Sequence, residues 1–182
     1  MRMGGPKLTV ALHGLPLISY PLRALTAVLG EVAVIGKPDL ELPDLPGTTV
    51  WIEPQEPTHP LVGVVEALGL AGGRSVLVCA ADLPFVTPEV IARLARLPAD
   101  GAPAVIASAP GSGPQPLLGR YEPVAGTLLA PAARDARLPV RAAVAAIGPR
   151  LLEVDERELF NVNSPDDLLL AAAMLDQPRS GR

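Results

Sequence analysis

Short β-branched runs alternate along this chain with longer helical patterns, and that alternation limits the folds open to it. It is typical of an α/β fold, in which helices cross over a mostly parallel sheet and cover its faces. The run Val76–Ala80 is apolar on both faces, so we predict that it lies at the centre of the sheet. The predicted strands are Leu8–Leu12, Glu31–Ile35, Thr48–Ile52, Ser75–Ala80, Ala104–Ala107, Leu117–Tyr121 and Leu151–Val154.

Prolines and capping residues mark the helix ends. Pro21 is harmless only in the opening turn of a helix, so the first helix is predicted to begin at Ser19. Thr87 and Ser164 each precede a proline and acidic residues, which is the pattern of a helix N-cap. The pair Gly72-Gly73 follows a helix and enters a strand, the reverse of a phosphate-binding loop, and is interpreted as a helix end and turn. The predicted helices begin at Ser19, Pro60, Pro88 and Pro165.

The composition excludes several classes of protein. The chain has a net charge of −4, a pI near 5.2 and no basic block, so nucleic acid is not expected as a partner. One cysteine and two histidines cannot form an internal disulfide or a zinc site of the usual kinds. No apolar run is long enough to cross a membrane, and the first residues lack the apolar core of a signal peptide. We therefore expect one cytoplasmic domain over residues 1–175, a flexible tail at 176–182, and no membrane partner.

Asp82 follows the predicted central strand and precedes a turn and a capped helix. Open parallel sheets bind their ligands at the carboxyl ends of the strands. A carboxylate in that position can hold a Mg²⁺ ion that bridges phosphate oxygens. The alternative is a turn aspartate that bonds its own backbone.

The segment Arg2-Met3-Gly4-Gly5-Pro6-Lys7 places two cations around a glycine pair just before a strand. Arg2 and Lys7 could clamp a triphosphate, with the backbone N–H groups of Gly4 and Gly5 completing the site. The alternative is an ordinary basic start of a chain.

Other polar residues lie at element boundaries. Asn161 and Asn163 alternate in an extended segment before the last helix, so their amide groups are expected on one face, with turn formation as the alternative. Gln115 ends a stretch rich in Gly, Pro and Ser that begins after Ala107 and is predicted to be a loop. Gln115 and His59, each beside a proline, are interpreted as structural when taken alone.

Taken in order, these segments resemble the motifs of the MobA-like nucleotidyltransferases, which include molybdenum cofactor guanylyltransferases. The family begins with a glycine-rich signature, L-A-G-G-x-S-x-R-M-G-x-x-K, whose second half matches Arg2–Lys7. Pro60–Gly63 is similar to the family's G-P-L-x-G segment, with His59 in place of the first glycine. Three further matches are Cys79–Phe85 to a C-D-x-P metal-binding turn, Gln115–Leu117 to a Q/H-P-L segment, and Phe160–Leu168 to an F-x-N-V-N-T-P-E-D-L ending.

The resemblance implies a three-layer αβα sandwich with a Rossmann-like sheet, of the nucleotide-diphospho-sugar transferase type. It implies transfer of GMP from GTP to the phosphate of molybdopterin or its molybdenum form, with release of pyrophosphate. Asp82 would hold Mg²⁺ and act with Arg2 and Lys7 in catalysis. The residues expected to bind nucleotide and acceptor are Gly4, Gly5, Lys7, Pro60, Gly63, Gln115, Asn161 and Asn163. Transient contact with proteins of cofactor biosynthesis or molybdoenzyme maturation is a further expectation.

Two alternatives stay open at this point. A cytidylyltransferase of the same cofactor family, or a sugar-phosphate nucleotidyltransferase, would share the fold, and the choice of base depends largely on the signature loop. A non-catalytic binding module would share the fold without a complete nucleotide loop.

The sequence begins inside the glycine-rich signature, so the family's first strand and the L-A-G-G half of its loop are absent from it. We expect the true gene product to start upstream. In the family that strand is central in the sheet. Without it, the strands beginning at Glu31 and Ser75 are expected either to stay apart, across a gap wider by one strand spacing of about 4.8 Å, or to collapse together.

Overall fold

A computed structural model describes residues 10–39, 41–45, 47–135 and 137–177, in which the strands form one four-stranded and two two-stranded sheets. The strands are β1 (Ala11–Leu12), β2 (Leu15–Pro16), β3 (Ala33–Gly36), β4 (Thr49–Ile52), β5 (Val76–Cys79), β6 (Ala104–Ala109), β7 (Gly113–Tyr121) and β8 (Arg150–Glu153). The helices are α1 (Ser19–Thr26), α2 (Pro60–Leu70), α3 (Pro88–Arg96), α4 (Pro123–Arg134), α5 (Val140–Ala146) and α6 (Pro165–Asp176), and a 3₁₀ helix covers Glu156–Leu159. The predicted α/β alternation is confirmed.

The four-stranded sheet has the order β5-β7-β6-β8. β7 is antiparallel to both of its neighbours, and β6 is parallel to β8. The prediction that Val76–Ala80 lies at the centre is wrong, because β5 pairs only with β7 within the described residues and is half-buried. The interior positions belong to β7 and β6, and Ala104, Val105 and Ile106 of β6 are fully buried.

A hairpin joins β6 to β7 where the composition predicts a loop. The strands continue to Ala109 and resume at Gly113, so the loop predicted between Ala107 and Pro116 is confirmed only at residues 110–112, and its flanks are wrong because they are strand. Antiparallel pairing gives these backbone groups protein partners, which outweighs the weak strand propensity of Gly, Pro and Ser. Gly113, with φ of +69°, supplies the backbone conformation that the turn requires.

β3 and β4 pair in parallel and form a separate sheet. A cavity of about 560 Å³ lies between β3 and β5. An ion pair of 2.7 Å between Arg74 and Glu31 joins the residues that precede β5 and β3, so the two strands begin at the same end. Trp51 of β4 lines the cavity, whereas its neighbours Val50 and Ile52 are exposed. Within the described residues β3 and β5 do not pair with each other, and both line the cavity.

Helices cover both faces of the four-stranded sheet. On one face, residues of α2, α4 and α5 such as Leu61, Leu129 and Val144 form an apolar cluster with β6 and β7. On the other face, Ile91 and Leu94 of α3 belong to a second cluster, which α1 also joins. The result is the expected three-layer αβα arrangement. None of the helices in this part of the chain has the length and apolar character needed to span a membrane.

The predicted helix starts are confirmed for α1, α2, α3 and α6. The hydroxyl of Thr87 accepts a hydrogen bond of 3.2 Å from the N–H of Val90, and that of Ser164 accepts one of 3.1 Å from the N–H of Asp167. Gly72 and Gly73 have φ of +62° and +83°, which confirms their interpretation as a turn after α2. Helices α4 and α5 are not predicted from the sequence.

Gly119 of β7 permits a close approach to β6. A Cβ at this position would lie 2.8 Å from the carbonyl oxygen of Val105 and 2.5 Å from Cδ1 of Ile106. We expect Gly119→Ala to lower the free energy of unfolding by about 1–3 kcal/mol, because the backbone of β6 would have to shift. Gly126→Ala in α4 is the matched control, since its Cβ would make only ordinary contact with Leu68 and alanine favours a helix. Equal stabilities of the two variants in urea denaturation would contradict this account.

Candidate functional site

Asp82 lies in the turn between the carboxyl end of β5 and helix α3. Its backbone carbonyl accepts a hydrogen bond of 2.9 Å from the N–H of Val162. The Val162 side chain is fully buried and therefore anchors the extended segment before α6 beside this turn. Two motifs that are far apart in the sequence are neighbours in the fold.

Gln115 and Asn161 contact one another directly. The Nε2 of Gln115 donates to the Oδ1 of Asn161 over 3.3 Å. The Oε1 of Gln115 accepts a bond of 3.4 Å from the N–H of Leu117, which orients the amide from its own strand. Gln115 on β7 thus extends the cluster that Asp82 and Asn161 begin.

Asn163 lies beyond Val162 and directly precedes the N-cap of α6. Val162 is buried, whereas Asn161 is half-buried and Asn163 is exposed. That the two amide groups share one face of the segment stays a prediction. The backbone N–H of Asn163 donates to Oδ2 of Asp167 over 2.9 Å. The side chain of Asn163 is exposed at the end of this segment.

Pro60 and Gly63 lie in the first turn of α2 and line the cavity between β3 and β5. Ala81, the residue before Asp82, lines the same cavity. These two predicted binding residues therefore face a space that reaches the Asp82 turn.

His59 is the N-cap of α2. Its Nδ1 accepts a bond of 3.3 Å from the N–H of Leu61, and its Nε2 lies 2.9 Å from the carbonyl oxygen of Leu138. The residue is buried, and both ring nitrogens have protein partners. The interpretation of His59 as structural is confirmed.

Lys37 and Glu53 form an ion pair that was not predicted from the sequence. They directly follow the carboxyl ends of β3 and β4. The Nζ of Lys37 lies 3.3 Å from Oε1 of Glu53, and these side chains are only 21% and 14% exposed. A Cβ on Gly63 would lie 2.8 Å from Oε2 of Glu53, so glycine at this position leaves room for the carboxylate. The one signal in the sequence is position, since Glu53 directly follows a predicted strand and Lys37 lies two residues after another.

Cys79 ends β5 a few residues before Asp82. Burial raises the pKa of its thiol to about 12, and the negative charge of Asp82 adds to the rise. The thiol therefore stays protonated near neutral pH and is a poor nucleophile. Its interpretation as a core residue agrees with this environment.

The predicted residues thus fall into three groups. Asp82, Gln115 and Asn161 come together, with Asn163 at their margin, and Pro60 and Gly63 line the adjoining cavity. The remaining predicted residues, Arg2, Gly4, Gly5 and Lys7, lie outside the described residues. Their role as a phosphate clamp stays a prediction.

The few oxygen ligands near Asp82 suit a Mg²⁺ ion that takes most of its other ligands from the phosphates of a bound substrate and from water. Among the described residues, no three His, Cys, Asp or Glu side chains form a group that could enclose a metal ion. Asp82 offers one carboxylate, and its backbone carbonyl bonds Val162, the neighbour of Asn161, whose amide pairs with that of Gln115. Mg²⁺ is usually bound through one or two carboxylates together with phosphate oxygens and water, so these residues fit that ion.

Comparison with known proteins identifies relatives along most of the chain. Residues 1–149 match the model of the MobA-like NTP transferase domain. A probable molybdenum cofactor guanylyltransferase from Chloroflexus aggregans is 36% identical over 173 residues, which cover 87% of this chain and 80% of the relative. A protein of the same description from Synechococcus elongatus is 27% identical, over 91% of this chain and 89% of its own length.

Solved structures share the fold at low sequence identity. The molybdopterin-guanine dinucleotide biosynthesis protein A from Archaeoglobus fulgidus superposes with a TM-score of 0.73 at 22% identity, covering 96% of this chain and 92% of that one. The 2-C-methyl-D-erythritol 4-phosphate cytidylyltransferase from Thermus thermophilus gives 0.68 at 22% identity, with 94% of each chain covered. At these identities the likeness concerns the fold alone.

Proposed function

The chain belongs to the MobA-like NTP transferase domain family and is a nucleotidyltransferase, and we propose that it transfers GMP from GTP to the phosphate of molybdopterin or its molybdenum form, releasing pyrophosphate. The observation that carries the proposal is the hydrogen bond between the Asp82 carbonyl and Val162, which joins the carboxylate turn to the asparagine segment. The names of the relatives support guanylyl transfer in this cofactor pathway.

The reaction is an in-line displacement at the α-phosphorus of GTP. An oxygen of the acceptor phosphate forms the new bond to phosphorus, and the bond to the pyrophosphate oxygen breaks. Such a reaction depends mainly on positioning and on neutralisation of charge. When bound, Mg²⁺ supplies charge that stabilises the phosphate oxygens, and Asp82 would hold it. Arg2 and Lys7 would neutralise the remaining phosphate charge.

The amide residues would orient the acceptor. Asn161 is held by Gln115, and the exposed Asn163 is predicted to lie on the same face of its segment. Their amide N–H groups can donate to the acceptor phosphate, while the Asp82 turn lies on the nucleotide side. Pro60 and Gly63 would contact the nucleotide from the start of α2.

The proposal is tested by pyrophosphate release from the purified protein. Each of the four NTPs is incubated with Mg²⁺ and molybdopterin, and we expect release with GTP to exceed release with the other nucleotides. Higher release with CTP would favour a cytidylyltransferase, and activity with a sugar phosphate in place of molybdopterin would favour a sugar-phosphate enzyme. Failure of the folded protein to bind GTP in calorimetry would favour a non-catalytic module.

Asn163→Ala should weaken use of the acceptor more than binding of GTP. The loss of a hydrogen bond to a charged phosphate costs about 1.5–3 kcal/mol, which corresponds to an increase of about 10- to 100-fold in KM for molybdopterin. Asp166→Asn, at an exposed position in the next helical turn, is the matched control and should leave this KM unchanged. If Asn163→Ala weakens acceptor and GTP equally, the asparagine pair only shapes the turn.

A further inference from the structure

Residues 155–162, which we call the bridging segment, lie between β8 and α6 and pack beside the Asp82 turn. The backbone N–H of Val162 donates to the carbonyl oxygen of Asp82. Two residues earlier in the segment, the ring of Phe160 contacts that of Phe85 edge to face, with the ring centroids 5.9 Å apart. The bridging segment and the turn therefore run side by side in opposite directions.

Glu158 of the bridging segment holds the far end of this turn. Its Oε1 accepts a hydrogen bond of 2.6 Å from the hydroxyl of Thr87, the buried N-cap of α3. The same hydroxyl accepts a bond from the N–H of Val90, so Thr87 donates to the bridging segment and accepts from α3. Because Val162 bonds the other end, the turn that carries the Asp82 carboxylate is held by the bridging segment at both ends.

Glu156 of the same segment contacts a different element, the tip of the hairpin between β6 and β7. Its Oε1 accepts a hydrogen bond of 2.8 Å from the hydroxyl of Ser112. A Cβ on Gly111 would overlap this carboxylate, so glycine at the tip lets the carboxylate approach the backbone closely. Farther along the segment, Asn161 accepts the bond from Gln115 of β7. The hairpin is thus also held at two points.

We propose that Glu156 and Glu158 are positioning residues, through which the bridging segment fixes the separation of the Asp82 turn and the β6–β7 hairpin. The inference rests on the proposed function, in which Asp82 holds Mg²⁺ and the amide of Gln115 lies on the acceptor side. In-line transfer needs nucleotide and acceptor at a set separation, since a misplacement of about 1 Å can cost about 100-fold in rate. Glu156 and Glu158 lie on one 3₁₀ helix, so each side is held relative to the other.

Calorimetry of Mg²⁺-GTP binding to the whole chain tests the Asp82 side without turnover. We expect Glu158→Ala to weaken binding about tenfold, because groups that hold a metal ligand in place have effects of this size. Glu158→Gln keeps an oxygen that can accept from Thr87 and should restore most of the affinity. Glu156→Ala should bind as the unaltered chain does, and so should the matched control Glu89→Ala, which removes an exposed carboxylate from the first turn of α3. Should Glu158→Ala fail to fold, Glu158→Asp takes its place, because its shorter side chain withdraws the carboxylate from Thr87.

The kinetics of pyrophosphate release test the hairpin side. Glu156→Ala should raise the KM for molybdopterin about tenfold, Glu156→Gln should restore it, and Glu158→Ala should leave it unchanged. Equal defects of the two alanine variants in both measurements, or a lower midpoint of thermal unfolding with neither defect, would overturn the positioning roles. If the unaltered chain releases no pyrophosphate, the proposed function fails and this inference fails with it. Release by the unaltered chain without the expected difference between the variants overturns the inference alone.

Discussion

Replacing Asp82 by asparagine is expected to abolish Mg²⁺-dependent pyrophosphate release while the protein stays folded. The substitution removes one negative charge from a site that offers a single carboxylate and is therefore expected to lose several kcal/mol of transition-state stabilisation, or about 100-fold or more in rate. The fold should persist, because Asp82 is linked to Val162 through its backbone carbonyl, which asparagine retains. The measurement is the rate of release at saturating Mg²⁺, together with the midpoint of thermal unfolding.

Asp100→Asn is the matched control for this prediction. Asp100 is an exposed carboxylate before β6, paired with Arg150 at the end of the sheet opposite to Asp82. It has φ of +52°, which asparagine tolerates as well as aspartate does. The control should keep its activity. Near-normal release by Asp82→Asn at saturating Mg²⁺ would remove Asp82 from the metal role.

Arg120→Met is expected to lower the free energy of unfolding by about 3 kcal/mol, because a half-buried cation that bonds the carbonyl end of a helix is lost. Arg120 on β7 is 14% exposed, and its guanidinium donates to the carbonyl oxygens of Leu94, Ala95 and Leu97 at distances of 2.6–2.9 Å. These are the last carbonyls of α3 and the residue after it, which lack partners within the helix. The same guanidinium pairs with Glu122 at 2.9 Å, so methionine removes the cation from that carboxylate and leaves it the hydroxyl of Ser75.

Arg137→Met tests whether the loss of any arginine has this effect. The side chain of Arg137 is 94% exposed and pairs with Asp135 at 3.3 Å. Such surface pairs contribute little, so the control should change stability by less than about 0.5 kcal/mol. Urea denaturation of both variants gives the comparison. A cost below about 1 kcal/mol for Arg120→Met would mean that water replaces the guanidinium at the end of α3.

Local signals in the sequence were sufficient to predict the starts of four helices. A proline in the first turn behind a capping side chain acts within one turn, so Thr87 and Ser164 could be identified without knowledge of the rest of the fold. Helix α4 could not be predicted in this way, because Gly126 and Pro131 weaken its helical pattern. Its stability comes from packing against α2, a contact between segments far apart in the sequence.

The arrangement of strands depended on contacts that no local pattern encodes. An apolar run such as β5 does not reveal whether one neighbour or two will pair with it. The antiparallel position of β7 follows from its hairpin with β6, in a stretch whose composition indicated a loop. For the site, the order of the family motifs along the chain predicted that Asp82, Gln115 and Asn161 belong together. Lys37 and Glu53 belong to no motif, and the ion pair in the structure identifies them.

The position of Trp51 gives the protein an optical probe of its own. It is the sole tryptophan in the sequence and lines the cavity between β3 and β5, so the emission of its indole depends on the polarity of that space. Displacement of water from the cavity should shift the emission to shorter wavelengths, without any added fluorophore. Titrations of GTP and of the other nucleotides can then be followed on the unaltered protein, and these ligands can be compared by the same signal.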